Sequence, residues 1–398
     1  MSTMNLVDAD INDLLTRVRR TLHENPELSG KEHMTAALIV KELRAIGVDE
    51  IREGVAETGV VAWIRGAQDG PSVLIRADID ALPIQEVDHG QSYISRTQGV
   101  HHGCGHDGHV AILLGTAKVL QSLKETMSGS VIFVFQPAEE RGGGARRMLD
   151  ANPWPQEITP HSSLALHITN DQQVGTIDVR PGPVTAAAQS FDVRFISSGG
   201  HAAQPQAVAD PIVASAEFVM SAQTIVSRSL SSRSNVVVGL SCIHGGDTRS
   251  AIPTEVTIEG TIRAFSDDDM KIVRRRLREV AAGVAQIHGC DVDVDIKDDM
   301  YPVSINDTAV SAVVARAGRE VLGDDNVTSD VVQSGADDMA EFLAAFPGCY
   351  FRLGAGNAAR ELTAPHHSPH FDFDESAMEN GVKVFVQSVL DLQTHAPA

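Results

Sequence analysis

Nine residues, His101-His102-Gly103-Cys104-Gly105-His106-Asp107-Gly108-His109, hold four imidazoles, a thiol and a carboxylate, broken by three glycines. Neutral imidazole and thiolate bind zinc-class divalent ions, and a carboxylate serves as a further ligand or orients a ligand histidine. A low-complexity His tract would not run on into Val110 to Leu120, an apolar-periodic stretch with no turn residue beyond Gly115. A loop that opens a helix in this way is a place where a rigid metal site can be built. Three more polar clusters sit at expected strand ends. Ala77-Asp78-Ile79-Asp80-Ala81-Leu82-Pro83 closes the strand Ser72 to Ile79, Gln136-Pro137-Ala138-Glu139-Glu140 follows Ser130 to Phe135, and His167 follows Ser163 to Leu166. Sites in open α/β sheets form outside the carboxyl ends of strands. Singly, Glu139-Glu140 reads as a solvated pair and His167 as a hydrogen-bonded strand-end residue. Together the clusters read as one centre of two carboxylates and several histidines.

The elements that must position these residues follow from periodicity. Ile11, Leu14, Leu15, Val18 and Leu22 fall at helical spacing, ending near Pro26, and a second helix runs from about Lys31 to Ile46 and stops at Gly47. Val60 to Ile64, Ser72 to Ile79, Ser130 to Phe135 and Ser163 to Leu166 are near-continuous apolar strands, which predicts an α/β fold whose sheet is buried on both faces. The middle of the chain differs. Strand Ser190 to Ile196, helix Pro211 to Ser227, strands Val236 to Ser241 and Glu255 to Phe265, helix Asp267 to His288 and strand Val292 to Ile296 give the order βαββαβ, the ferredoxin-like order. Asp267 reads as an N-cap and Gly289 as a helix stop. The expected organisation is a discontinuous catalytic domain, residues 1–187 and 299–398, carrying an inserted domain at 188–298.

At 398 residues the chain is long for one domain, and 42% apolar and 21% charged is an ordinary globular composition. Lys+Arg of 32 against Asp+Glu of 53 gives a net charge of −21, which excludes a general basic surface for nucleic acid or an anionic membrane. No apolar run approaches the roughly 20 residues that span a bilayer. Met1 to Arg20 carries Asp8, Asp10 and Asp13 and no continuous apolar stretch, against a signal peptide. Cys104, Cys242, Cys290 and Cys349 lie far apart with no CxxC, which predicts reduced thiols and a cytoplasmic protein.

The series ADxDALP, HxCGHDxH, QPAEE, a strand-end LH, GGHAAxP, GTIR and HSPxFxxDE resembles the M20 metallopeptidases, from His23-Glu24-Asn25-Pro26-Glu27-Leu28-Ser29 to Asp374-Glu375. It is most similar to the amidohydrolase branch of hippurate hydrolase, aminoacylases and hydrolases of indoleacetyl-amino-acid conjugates. The resemblance implies a zinc-peptidase-like mixed-sheet domain with an inserted lid through which a homodimer forms. It implies a pair of divalent ions, zinc, manganese or cobalt, on Cys104, His106, Glu140, His167 and His367; His367 is chosen because it stands two before Pro369, with His366 and His370 left as neighbours. Glu139 becomes the general base, and Asp80 and Asp107 candidate orienters of ligand groups. His201, in Ser198-Gly199-Gly200-His201, is implied to stabilise the oxyanion, across the dimer. Arg263 is a candidate for the substrate carboxylate, with a structural ion pair as the alternative.

Departures bear on specificity. Ser250 stands where the family often has Asn, Asp337-Asp338-Met339 where it often has Glu-Asp-Phe, and Arg352 where it usually has an apolar residue. Arg352 can bind an acidic substrate group or form a surface ion pair. The function expected is hydrolysis of a small-molecule N-acyl or N-aroyl amino acid to a carboxylic acid and a free amino acid. The alternatives are a dipeptidase or an N-acetyl-diaminopimelate-type deacetylase and, in another class, a non-catalytic metal-binding protein, against which the intact Glu139 argues.

Overall fold

The structure, a computed structural model, describes residues 7–88, 90–297, 301–330 and 332–394. The chain forms two compact units. One comprises Met1–Val184, Ser304–Val331 and Asp337–Ala398, the other Thr185–Val303 and Val332–Ala336. The second unit is longer at both ends than the 188–298 read from sequence and takes in a further short segment. The expected junction at 298/299 lies outside the described residues.

In chain order the first unit contributes α1 (Ala9–Glu24), α2 (His33–Ile46), β1 (Glu50–Val55), β2 (Gly59–Arg65), β3 (Val73–Asp78), α3 (His106–Ser122), β4 (Ser130–Gln136), α4 (Gly144–Ala151), β5 (Ser162–Gln173), β6 (Ile177–Asp178) and β7 (Gly182–Thr185). The second unit follows with β8 (Ala187–Ile196), β9 (Gly200–His201), α5 (Pro211–Ser229), β10 (Val236–His244), β11 (Ala251–Ile252), β12 (Glu255–Ala264), α6 (Asp267–His288) and β13 (Asp291–Ile296). The chain returns to the first unit with β14 (Ser304–Asn306), α7 (Thr308–Leu322), β15 (Val327–Thr328), α8 (Met339–Ala345), β16 (Gly348–Gly356) and α9 (Ser376–Thr394).

The first unit is built on an eight-stranded mixed sheet in the order β1-β2-β4-β3-β5-β16-β6-β15. Its centre, β4-β3-β5-β16, is parallel, and β1 and β2 pair antiparallel on one flank. Strand side chains alternate between faces, and here both faces are covered. Val60, Ala62, Ile64, Val131, Phe133, Phe135, Val73 and Ile75 face the larger core cluster with residues of α1, α2, α3, α7 and α9. Val61, Trp63, Ile132, Val134, Leu74, Ala165 and Tyr350 face a smaller cluster completed by α4 and α8. Burial on both sides is why the strands lack polar alternation. The parity also fixes the site. Asp78 and Gln136, at the ends of β3 and β4, and His167, within β5, lie at even spacing from Leu74, Val134 and Ala165, so they continue the smaller-cluster face.

In the second unit the sheet order is β10-β12-β8-β13, antiparallel throughout, with α5 and α6 packed against it. This is the strand order of a βαββαβ ferredoxin-like unit. Helix α6 has the expected bounds, but Ser266, not Asp267, is the N-cap and accepts from the Asp269 amide, and Gly289 ends it in the left-handed conformation. Asp267, Asp268 and Asp269 occupy the first turn instead, where their charge favours the helix dipole. The strand expected at Ser163–Leu166 runs on to Gln173, and β1 has no counterpart in the sequence reading.

Candidate active site

The ends of β3 and β4, the loop that opens α3, the middle of β5 and of β16, and one return loop deliver the expected site residues of the first unit. The chain leaves β3 at Asp78 and buries Asp80 two residues on. Gly105, at φ 89°, turns the His-rich loop into α3, which begins at His106. Gly108 lets the helix press onto β5: a Cβ there would lie 2.5 Å from Ile168 Cδ1 and 2.6 Å from Phe373 Cζ. After β4, Ala138 takes a positive φ of 53°, which turns the Glu139-Glu140 pair out of strand geometry. His367 also has a positive φ, 62°, and its amide donates to the Gly103 carbonyl at 2.8 Å. Strain in a non-glycine residue at this position marks a conformation that the surroundings enforce.

The side chains converge. Cys104 Sγ lies 3.5 Å from His167 Nε2, and His367 Nε2 lies 3.3 Å from Glu140 Oε1. Ligand atoms of Cys104, His106 and His167, of Cys104, Glu140 and His367, and of His106, Glu139 and Glu140 form overlapping groups within 4.8 Å. Asp80 accepts from the amides of Glu139 at 3.2 Å and Glu140 at 3.0 Å and from Ser29 Oγ at 2.6 Å, so one carboxylate holds the loop that carries both glutamates. Nδ1 of His106 donates to the Asp80 carbonyl at 2.9 Å, leaving Nε2 to face the cluster. Nδ1 of His167 likewise donates to the Ile168 carbonyl at 2.7 Å.

His109 was not singled out from the sequence, yet its place is well defined. Its Nδ1 donates to Asp78 Oδ1 at 2.6 Å and its Nε2 accepts from the Ile168 amide at 2.9 Å. The Ile168 peptide is thus gripped at its N–H by His109 and at its carbonyl by His167 and by His366 Nε2, at 2.8 Å. The last position of the HxCGHDxH pattern was the available signal. Arg76 was also missed. It is buried in β3 and donates to Asp78, Gln136, Asp337 and Asp338 at 2.6, 2.7, 3.2 and 2.9 Å. Asp337 and Asp338, noted only as a departure, are buried behind the glutamate loop. Tyr350 donates to Asp337 at 2.5 Å, and Asp338 accepts from the Ala145 amide at 3.0 Å.

The electrostatics ask for a cation. Burial, then Asp337 and Glu140, push Glu139 well above the carboxylate range, and burial, then Glu140 and Glu139, push the Cys104 thiol up. Burial opposes a charge on His106, but Asp78 and Asp80 outweigh it and raise its pKa to about 10. Burial, then His366 and His109, keep His167 neutral with its pKa well down. Buried His106 Nε2 and Glu140 Oε1 have no hydrogen-bond partner, and an orphaned buried acceptor is costly. A thiol, three imidazoles and carboxylates with orphaned lone pairs fit divalent metal ions of the zinc class.

Other expected residues are placed differently. Asp107 reaches none of the five expected ligands: it turns to α1, accepting from Arg19 Nε at 3.1 Å and His23 Nδ1 at 2.7 Å. His370 is exposed and His366 is held by Ile168, so of the three histidines His367 alone meets Glu140. Arg352 pairs in register with His167 across β16 and β5. Its guanidinium donates to Thr169 Oγ1 at 2.8 Å and stands 3.6 Å from Asp171 Oδ2. His201, Ser250 and Arg263 belong to the second unit. His201 is exposed on β9 opposite Ala251, its Nδ1 accepting from the Ala203 amide at 3.0 Å. Arg263 lies on β12 and donates to the Ile262 carbonyl at 3.1 Å.

The profile of Peptidase family M20/M25/M40 matches residues 74–391. The chain belongs to this family. Among curated relatives, it is 35% identical over 378 residues to IAA-amino acid hydrolase ILR1-like 4 of Arabidopsis thaliana, covering 94% of this chain and 84% of the relative. It is 34% identical over 391 residues to N-acetylcysteine deacetylase of Bacillus subtilis, covering 98% and 100%. Among solved structures, the YXEP protein of Bacillus subtilis, a dinuclear metal-binding peptidase of family M20, superposes with a TM-score of 0.85 at 30% identity, covering 97% of this chain and 99% of that one. The family places the chain among metal-dependent hydrolases, and the two-metal neighbour agrees with the donor set described above.

Proposed function

We propose that the protein hydrolyses the amide bond of N-acyl or N-aroyl amino acids to a carboxylic acid and a free amino acid. The observation that carries this reading is the convergence of Cys104, His106, Glu140, His167 and His367 around Glu139, in a chain whose relatives are named for cutting such amides. Those five residues would hold two divalent ions, which would supply polarisation of the scissile carbonyl and acidification of water. Glu139 takes a proton from the attacking water and returns it to the leaving nitrogen as the C–N bond breaks. Burial and the neighbouring carboxylates raise its proton affinity, in the direction that suits a group that must accept a proton and give it back. Asp80 keeps Glu139 and Glu140 apart in role by holding both of their amides. His201 donates to the carbonyl oxygen as charge develops on it, and Arg263 binds the substrate carboxylate. Arg352, beside His167 on the neighbouring strand, is the group for an acidic part of the substrate.

A dipeptidase reading has its own support: thermostable carboxypeptidase 2 of Saccharolobus solfataricus is 34% identical over 379 residues. Release of amino acid from N-acetyl and N-benzoyl amino acids, set beside unblocked dipeptides, separates the two. Turnover of the blocked substrates at least tenfold faster is expected; faster cleavage of the dipeptides favours the second reading. We further propose a homodimer formed by the second unit. Support comes from Ile212, Val213 and Met220 on α5 and from Val237 and Ile243 on β10, all exposed apolar residues, with β10 at a sheet edge. The free cysteines support a reducing, cytoplasmic setting. Among the described residues no helix is long and apolar enough to cross a membrane.

A further inference from the structure

A second group of side chains of metal-ligand type lies in the first unit, made by residues to which the proposed hydrolysis gives no role. His23 stands near the end of α1, Glu86 follows the segment after β3, and His101 opens the His-rich loop. Their relative exposures are 1%, 4% and 0%. His23 Nε2 is 3.0 Å from Glu86 Oε1, and His101 Nδ1 is 3.7 Å from Glu86 Oε2. The three ligand atoms lie within 4.8 Å of one another. These spacings are those of the active site itself, where Cys104–His167 and His367–Glu140 stand at 3.5 and 3.3 Å.

Two observations point to an ion. Nδ1 of His23 donates to Asp107 at 2.7 Å, which leaves the Nε2 lone pair facing a carboxylate oxygen. Two acceptors face each other there unless a cation lies between them, and a carboxylate behind a histidine is the usual support of a metal ligand. The other observation is His101. Neither of its ring nitrogens has a hydrogen-bond partner of normal geometry, although the Phe371 carbonyl is near enough to favour a proton on the ring. Such a group costs free energy if left bare. A proton on His23 resolves the first observation but leaves His101 orphaned. One divalent ion resolves both.

We propose that His23 Nε2, Glu86 and His101 Nδ1 hold a divalent transition-metal ion, of the zinc class, separate from the catalytic pair. Two imidazoles and a carboxylate suit zinc, cobalt or manganese. A fourth ligand is at hand in Gln91, whose side-chain amide lies 2.8 Å from Glu86 Oε1 and presents its oxygen if the amide is turned over. The Ser95 amide, 2.6 Å from Oε2, orients the carboxylate from behind. Arg19 neutralises Asp107 and Asp372, so the ion's charge is met chiefly by Glu86. The site is closed to solvent and therefore structural: it ties α1 to the loop that carries Cys104 and His106, and the ion enters as the chain folds.

Zinc content decides this. Wild-type protein, His101→Phe and Glu86→Gln are expressed with added zinc, desalted and analysed by mass spectrometry for metal per chain. Wild type is expected to carry one equivalent more than either variant. Equal zinc in wild type and a folded variant overturns the proposal. Should both variants fail to fold, anomalous scattering at the zinc edge from wild-type crystals serves alone. A peak among His23, Glu86 and His101 is expected, and peaks confined to the Cys104 centre overturn the proposal. Neither readout depends on the amide-hydrolase reading.

Discussion

Adjacent glutamates acquire different tasks only if the backbone separates them. In a straight strand Glu139 and Glu140 would point to opposite faces; here Ala138 at φ 53° and the two amide bonds to Asp80 bend the pair into a loop. Glu140 meets His367, whereas Glu139 lies against the buried carboxylates Asp337 and Asp338. Glu139→Gln is therefore expected to keep its metal and lose about 10²-fold or more in kcat, the range for a lost general base. Glu140→Gln is expected to lose metal. Metal analysis beside kinetics checks both, and the reverse pattern would mean that the roles are exchanged. At this scale the sequence was informative wherever a residue type carries chemistry. A centre of thiol, imidazole and carboxylate was legible from the polar clusters, whereas the particular set Cys104, His106, Glu140, His167 and His367, which the fold brings together, came from the family resemblance. The partners of Asp107 were not legible, because Arg19 and His23 lie 88 and 84 positions away in sequence. Arg76 was passed over because a charged residue inside an apolar strand gives no local sign of the four partners it meets.

Elements carry the next level of control. Helix α3 and strand β5 are locked by Gly108, where no side chain fits, and by His109, which bridges Asp78 to the Ile168 amide. That amide belongs to the residue after His167, so His109 sets where His167 stands without approaching the substrate itself. His109→Leu is expected to weaken metal binding by roughly 10- to 100-fold, the usual cost of losing an outer partner of a ligand. His109→Gln, whose amide can both donate and accept, is expected to recover most of it. Metal titration followed by activity measures this, and unchanged affinity in the leucine variant would remove His109 from the account. Helices were legible from period and caps: α1, α2 and α6 fall within a few residues of the pattern that predicted them. β1 was not, because Glu50-Ile51-Arg52-Glu53-Gly54-Val55 is a half-exposed edge strand with no apolar run. β5 was cut short because its second half, Ile168 to Gln173, turns polar once it passes the core.

Over the whole molecule, charge and architecture set the conditions under which the site works. Arg19, fully buried in α1, holds Asp107 and Asp372 with contacts of 3.1 and 2.5 Å. Burial opposes ionisation of both acids, and Arg19 outweighs it and lowers their pKa values. A carboxyl depressed in the folded state adds stability that is full above its unfolded value near 4 and is lost as pH falls below it. Unfolding free energy is therefore expected to drop on acidification below about pH 4, and more gently in Asp372→Asn. Urea denaturation across pH 3 to 6 reads this, and identical acid limbs would contradict it. The second unit contributes His201, and the proposed dimer gives a test of where it acts. Mixing inactive His201→Ala with inactive Glu139→Gln restores part of the activity if His201 serves the partner's site; no recovery in confirmed mixed dimers would confine it to its own subunit. The ferredoxin-like order was legible because each strand and helix of the insertion has a clean period. Its limits were not, because Val332–Ala336 joins that unit from a distant part of the chain. The central claim, amide hydrolysis that needs divalent metal on Cys104, His106, Glu140, His167 and His367, is tested most directly by one measurement. Amino acid release from an N-acyl amino acid is followed before chelation, after it, and after zinc, manganese or cobalt is returned. Loss on chelation and recovery with metal are predicted, and full turnover by protein shown to be metal-free would contradict the account.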